Sequence, residues 1–175
     1  MFAFTADAFA GSYDGDDAAD YADTYWQNYN PAYTSFECDC TNFVSQCLYA
    51  GGWEETGSEV DDPDAWFYNG SSTSQISEIW RLVDDLEDFL DSSGRASGPY
   101  PVTGPYYSYY LPGDVVFASW DGDGDMEHAY IVTGVYSTHL ELTAHTNDRH
   151  DITTTEIRQI KNSVYFEGWF LYSSY

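Results

Sequence analysis

Residues 39–53 read DCTNFVSQCLYAGGW. Cys40, Phe43, Val44, Cys47 and Leu48 recur at the i, i+3, i+4, i+7, i+8 spacing of a single helix face, which predicts an amphipathic helix over Cys40–Ala50. Asp39 suits the N-cap and Gly51-Gly52 ends the helix. Cys40 therefore falls in the first turn. There the helix dipole and unpaired N–H groups favour a thiolate and can hold an oxyanion. A thiol heading an apolar stripe also fits a plain core position, and the spacing leaves both roles open.

Working outward, residues 16–29 read as an acidic amphipathic helix. Asp16 and Asp17 suit its positive end, and Asn30-Pro31 stops it. Residues 53–73 are polar, with Asp62-Pro63 and Asn69-Gly70 turn signals, and predict a long surface loop. Residues 74–90 carry Ile76, Ile79, Trp80, Val83, Leu86, Phe89 and Leu90 at helical spacing and predict a third helix. Residues 91–113 are rich in Ser, Gly, Pro and Tyr and read as a connection. Strands are predicted at residues 115–120, 128–136, 139–146 and 163–173. Helices followed by antiparallel strands give an α+β class.

This order suggests where a base would stand. A histidine on a strand beside the helix end would take the thiol proton. His128 opens the central strand and is the candidate. His145, one strand later, is the candidate to orient that imidazole, with Asn147 behind it. His139 and His150 read as exposed loop residues, and Cys47 as core.

Composition bounds the partners. The chain has 175 residues, 30 acidic against 5 basic, for a net charge of −25, with Lys161 its sole lysine. Such a surface repels phosphate backbones and anionic membranes, so no nucleic acid is expected as a partner. With 43% apolar and 19% aromatic residues, the chain has the means to build a core and is not read as disordered. Its length predicts a single domain over residues 1–175, with residues 1–15 a mobile N-terminal segment. No apolar run of about 18 residues occurs, so membrane insertion is not expected. The first twenty residues lack the basic and apolar regions of an intact signal peptide. The acidic excess fits two settings. One is an extracellular or cell-surface protein. The other is the cytoplasm of a halophile, where a Debye length of about 3 Å at 1 M salt screens self-repulsion.

Three cysteines, Cys38, Cys40 and Cys47, fall within ten residues, without the second ligand pair of a zinc site. An odd number leaves a free thiol. Cys40 and Cys47 lie two helical turns apart, about 10 Å, beyond disulfide reach. A single bridge would be Cys38–Cys47.

The stretch DCTNFVSQCLYAGGW resembles the signature of the putative amidase domain family, a relative of the NlpC/P60 and CHAP cysteine peptidases within the papain-like fold. YADTYW and NPAYTSF in residues 21–36, GDVVFASWDGDGDMEHAYIVTG at 113–134 and AHTND at 144–148 resemble further family segments in the family's order. The resemblance implies a papain-like, NlpC/P60-type core, with N-terminal helices packed on an antiparallel sheet. It implies Cys40 as nucleophile, His128 as general base and His145 as the orienting third member. The implied reaction is thiolate attack on an amide, through a thioester, in a peptide or peptidoglycan-like substrate. An oxyanion hole would use the Cys40 N–H and a side chain, with Asn30, Tyr33 and Asn42 left as alternatives and Asn147 as a further substrate-facing candidate.

Two readings compete on the same fold. One is a non-catalytic glycan- or peptide-binding module using exposed tyrosines such as Tyr106, Tyr107, Tyr109 and Tyr110. The other is a transglutaminase-type acyltransferase. No cofactor is required, and a monomer is expected. Asp121, Asp123 and Asp125 resemble the first half of a Ca²⁺ loop, although Val132 stands where its closing glutamate belongs. Asp39 and Glu37 flank the thiol and are expected to raise its pKa, so that salt would raise activity.

Overall fold

A computed structural model describes residues 11–175. Six strands form one sheet: β1 (Ala96–Pro101), β2 (Val115–Ser119), β3 (His128–Val135), β4 (Leu140–Ala144), β5 (Arg149–Thr153) and β6 (Tyr165–Leu171). Their order is β1-β6-β2-β3-β4-β5, and every neighbouring pair is antiparallel. Helices α1 (Gly15–Tyr25), α2 (Cys40–Ala50), α3 (Glu78–Arg81) and α4 (Val83–Ser92) precede all six strands, and α5 (Thr154–Ile160) joins the last two strands in sequence. The class is α+β.

Side-chain alternation divides the core in two. Val115, Phe117, Ala129, Ile131 and Trp169 face a cluster with Ala18, Ala22, Phe43, Val44, Cys47 and Leu48 of α1 and α2. Val116, Ala118, Tyr130, Val132 and Phe166 face a second cluster with Tyr107, Tyr110 and Ile157. The central strand β2 is buried at every position. That explains its unbroken apolar run, VVFAS, since a strand covered on both faces does not alternate.

α2 begins and ends at the expected residues, while other boundaries move. The first helix ends at Tyr25 rather than at residue 29. The expected helix over 74–90 is broken. Residues Thr73–Gln75 form a 3₁₀ turn, Ile76 is extended, and Leu82 (φ −114°) separates α3 from α4. Residues 53–73 are not all surface loop. Trp53, Ala65, Trp66 and Phe67 are buried, and Thr56 bridges Trp66. The connection at 91–113 hides β1, which pairs with β6.

Of the N-terminal segment expected to be mobile, residues 1–10 lie outside those described, whereas residues 11–15 are held in place. Gly11 and Tyr175 exchange backbone hydrogen bonds of 2.9 and 3.2 Å. The Tyr13 hydroxyl donates to the Gly113 carbonyl at 2.7 Å. Gly113, with φ +88°, lies so close to the Gly15 backbone that a Cβ would collide with it. This approach fixes the start of α1 against the start of β2. Among the described residues, no helix is long and apolar enough to cross a membrane.

Candidate active site

All three cysteines are free, so the Cys38–Cys47 bridge does not form. Cys38 is exposed, while Cys47 is fully buried on the core face of α2. Cys40 opens α2 and is 4% exposed. Its sulfur lies 3.9 Å from the Thr41 hydroxyl, and the backbone at Ala129, one residue beyond His128, acts on the thiol to favour its ionised form. Burial raises its pKa above the ordinary value, and these neighbours pull against the rise without reversing it.

His128 begins β3 and is 5% exposed. Its ring lies edge-on to Tyr130 at 4.5 Å and tilted toward Trp120 at 5.7 Å. Burial, aided by the Arg149 charge, brings its pKa down to about 4. At neutral pH its imidazole is therefore neutral and able to accept a proton. The pair rests as thiol and imidazole rather than as an ion pair. Cys40 and His128 are not hydrogen-bonded to each other here.

His145 does not orient His128. Its Nδ1 lies 2.6 Å from Asp39 Oδ2, and its Nε2 lies 2.9 Å from the Tyr25 carbonyl. The ring thereby ties the loop before α2 to the last residue of α1. Phe43 stacks on the ring at a centroid distance of 3.9 Å, and Tyr29 at 3.7 Å. Among the described residues, the His128 ring forms no hydrogen bond.

Asp39 departs from its expected part as well. It occupies the N-cap position, but its side chain makes no capping bond. Its Oδ1 instead accepts from the Phe36 N–H (2.7 Å) and Asn42 Nδ2 (2.9 Å), while Oδ2 meets His145. The first-turn N–H groups of α2 thus have no capping carboxylate. Burial, rather than Asp39 or Glu37, is the largest cause of the raised thiol pKa, and Cys38 adds to it. The Asp39 carboxylate is itself enclosed by the Phe36 N–H, Asn42 and His145.

The expected oxyanion side chains are differently employed. Asn42 is fully buried and donates to Thr34 O (3.0 Å) and Asp39, while its Oδ1 accepts from Trp80 Nε1 at 2.9 Å. Its carboxamide braces the loop before α2 and has no donor to spare. Asn30 donates to the Tyr21 hydroxyl and accepts from the Ala32 N–H, both at 3.0 Å. Tyr33, raised to about 12 mainly by burial, packs against Tyr68 and Trp80. Asn30, Tyr33, Asn42 and His145 share the wall of a cavity of about 10 Å³ with Asp39, a space on the scale of one water. Asn147 is exposed at φ +71° in the β4–β5 turn.

In the Asp121–Asp125 loop, Asp121 Oδ1 accepts from the Asp123 N–H, and Asp123 Oδ1 from the Asp125 N–H and the Ser119 hydroxyl. The loop carboxylates therefore serve its own turns. Among the described residues, three ligand-type side chains converge only at Asp23, His150 and Asp151. His150 is thus exposed, as expected, but bonded to Asp23.

Sequence reasoning missed Tyr29, Thr146 and Arg149. Thr146 accepts from the Asp39 N–H at 2.8 Å while holding φ +63°, an unfavourable region for a β-branched residue. An isolated Tyr, Thr or Arg in a turn carries no periodic signal, and these acquire meaning only when β4 and β5 bring them beside α2.

Comparison with known proteins places residues 12–167 under the family model described as "Putative amidase domain". The chain is also similar to the uncharacterized protein YhbB of Bacillus subtilis (strain 168), with 35% identity over 123 residues. That match covers 70% of this chain and 38% of YhbB, so the chain spans well under half of this relative's length. No solved structure matches.

Proposed function

The chain belongs to the putative amidase domain family, and on that premise we propose that it is a cysteine amidase or peptidase of papain-like type, related to NlpC/P60 and CHAP enzymes. Its substrate class is a peptide or cell-wall-type amide. The observation that carries the reading is the thiol of Cys40 at the uncapped first turn of α2, packed against β3, the strand that His128 opens.

A neutral His128 takes the Cys40 proton as sulfur attacks the amide carbonyl carbon. The developing oxyanion is met by N–H groups of the first turn of α2. His128 then returns the proton to the leaving amine, and a thioester remains. Water, deprotonated by His128, attacks the thioester and releases acid and thiol. Because both groups rest neutral, proton transfer accompanies attack instead of preceding it. The hydrogen bond this requires forms as substrate seats, since catalytic contacts often tighten only in the complex.

Alkylation by iodoacetamide between pH 5 and 9, mapped by mass spectrometry, tests the pair. Cys38, exposed on the same chain, is the internal reference, and Cys47 should remain unmodified. At pH 6–7, His128→Ala should slow Cys40 at least about ten-fold relative to Cys38. An unchanged ratio would remove His128 as the base. Hydrolysis of peptides and muropeptides by the wild type, lost in Cys40→Ala, tests the reaction. Retained hydrolysis in that variant would end the cysteine mechanism.

A further inference from the structure

A surface groove of about 420 Å³ lies between the end of α1, the β4–β5 turn and β5, lined by Trp26, Asp148, Arg149, His150, Asp151 and Glu156 among others. Its carboxylates are all engaged. Asp148 accepts from the Tyr29 hydroxyl at 2.7 Å, and Asp151 Oδ1 from the Thr133 hydroxyl at 2.7 Å. Asp151 Oδ2 lies 3.6 Å from His150 Nδ1, and Asp23 holds the other nitrogen of that ring at 3.0 Å. Glu156 accepts from Thr153 N–H and hydroxyl at 2.9 and 2.7 Å.

The cation is not. Arg81 pairs with Glu78, Arg95 donates to the Glu54 carbonyl, and Arg158 donates to Val102 O and the Tyr107 hydroxyl. Arg149 alone of the four arginines has no side-chain hydrogen bond or ion pair among the described residues, and it is exposed. On a chain of net charge −25, a guanidinium flanked by Asp148 and Asp151 yet paired with neither is unusual. Those neighbours are turned toward Tyr29, Thr133 and His150. The register places Arg149 opposite Ala144, next to His145, and its charge reaches both His128 and Tyr130.

We propose that Arg149, on β5 two strands across the sheet from the strand that His128 opens, is a substrate-binding residue that anchors a carboxylate of the amide substrate. This rests on the reading of Cys40 and His128 as the catalytic pair, and it adds the substrate class: amides bearing a free carboxylate near the scissile bond. The planar guanidinium fork matches a carboxylate's two oxygens, and the surrounding negative field disfavours polyanions such as phosphate chains.

The test compares two alkylating probes of similar size at one sulfur. Iodoacetate carries a carboxylate, and iodoacetamide is neutral. The ratio of their rate constants at Cys40 is measured in wild type, Arg149→Gln and Arg149→Lys, with Cys38 as the reference for the general acidic surface. In the wild type, the iodoacetate preference at Cys40 should exceed that at Cys38 by about three-fold or more at low salt, the size of one nearby charge. Arg149→Gln should bring the ratio down to that of Cys38, Arg149→Lys should retain part of it, and 1 M salt should erode it. The same ratio in wild type and Arg149→Gln overturns the anchor while leaving the nucleophile standing. If Cys40 reacts with neither probe while Cys38 reacts with both, the nucleophile fails and the anchor fails with it.

Discussion

His128 should make the protein acid-sensitive by a calculable amount. Its ring is 95% withdrawn from solvent, being 5% exposed, and its pKa falls to about 4, against about 6.5 in an unfolded chain. Between those values the unfolded state binds a proton that the native state refuses. The stabilisation is therefore complete above pH 6.5 and is lost as pH falls through 4. The difference of about 2.5 units, at about 1.36 kcal/mol each, gives about 3.4 kcal/mol, and half-protonation of the native state at pH 4 trims this to about 3 kcal/mol. Against a total stability of roughly 5–15 kcal/mol that loss is large.

Other buried groups titrate over the same range. Burial pushes Asp114 up to about 7 and Glu87, beside Glu167, up to about 8. Their native carboxyls keep protons that the unfolded chain gives up, so they act in the opposite direction, favouring the native state as pH falls. They are common to wild type and to His128→Gln, which has nothing to titrate at residue 128. Urea unfolding of both proteins at pH 7.5, 6, 5 and 4 isolates the histidine. The wild type should lose about 3 kcal/mol more than the variant between the extremes. A differential loss below about 1 kcal/mol, or one of opposite sign, would show that His128 is not held neutral by burial.

Further outcomes follow from the same contacts. Activity against a peptide amide should be level from pH 5.5 to 7 and fall with an acid limb near 4, because only neutral His128 accepts the thiol proton; a limb at 6.5 would indicate a solvated ring. Asp39→Asn should cost about 1–3 kcal/mol by breaking the buried hydrogen bonds of Asp39 to His145 and its neighbours, measured by urea unfolding, and Asp39→Asn with His145→Gln should cost less than the sum of the single changes. Gly113→Ala should cost about 1–3 kcal/mol or more, since its φ of +88° disfavours a side chain and Gly15 leaves no room for one; a change in melting temperature of less than about 1 °C would contradict that. Thr153→Ala removes one half of the capping box of α5 and should cost about 1 kcal/mol.

The legible parts of the fold were those with a local period. α2 could be read to the residue because its apolar face, its N-terminal aspartate and its two glycines agree. β2 and β3 were legible as apolar runs between turn signals. β1 was hidden because Ser97, Gly98, Pro99 and Pro101 lack strand propensity, and its pairing with β6 is a tertiary choice. β5 was hidden because its burial is slight and no apolar alternation marks it. The break at Leu82 was masked because Val83, Leu86 and Leu90 continue an apolar pattern across it. The places of Cys40 at the first turn of α2 and of His128 at the start of β3 were legible from spacing and order along the chain. The partnership of His145 was not, because one-strand adjacency does not reveal which ring nitrogen meets which oxygen.

That partnership changes what the acidic surroundings do to the thiol. The sequence suggested that Asp39 opposes a negative sulfur and that salt relieves the opposition. In the structure the Asp39 carboxylate is enclosed, with His145 on one oxygen and Phe36 N–H and Asn42 on the other. Its own N–H is held by Thr146. An aspartate so satisfied acts as the joint where the loop before α2, the β4–β5 turn and, through His145, the end of α1 meet. Its side chain also makes no cap on α2, which leaves the helix end available to a developing oxyanion. The penalty on the thiol comes instead from burial, and burial is not screened by salt. Salt should therefore act mainly through exposed charge, Arg149 included. Neutral substrates should respond weakly to salt, and carboxylate-bearing ones should bind less well as it rises.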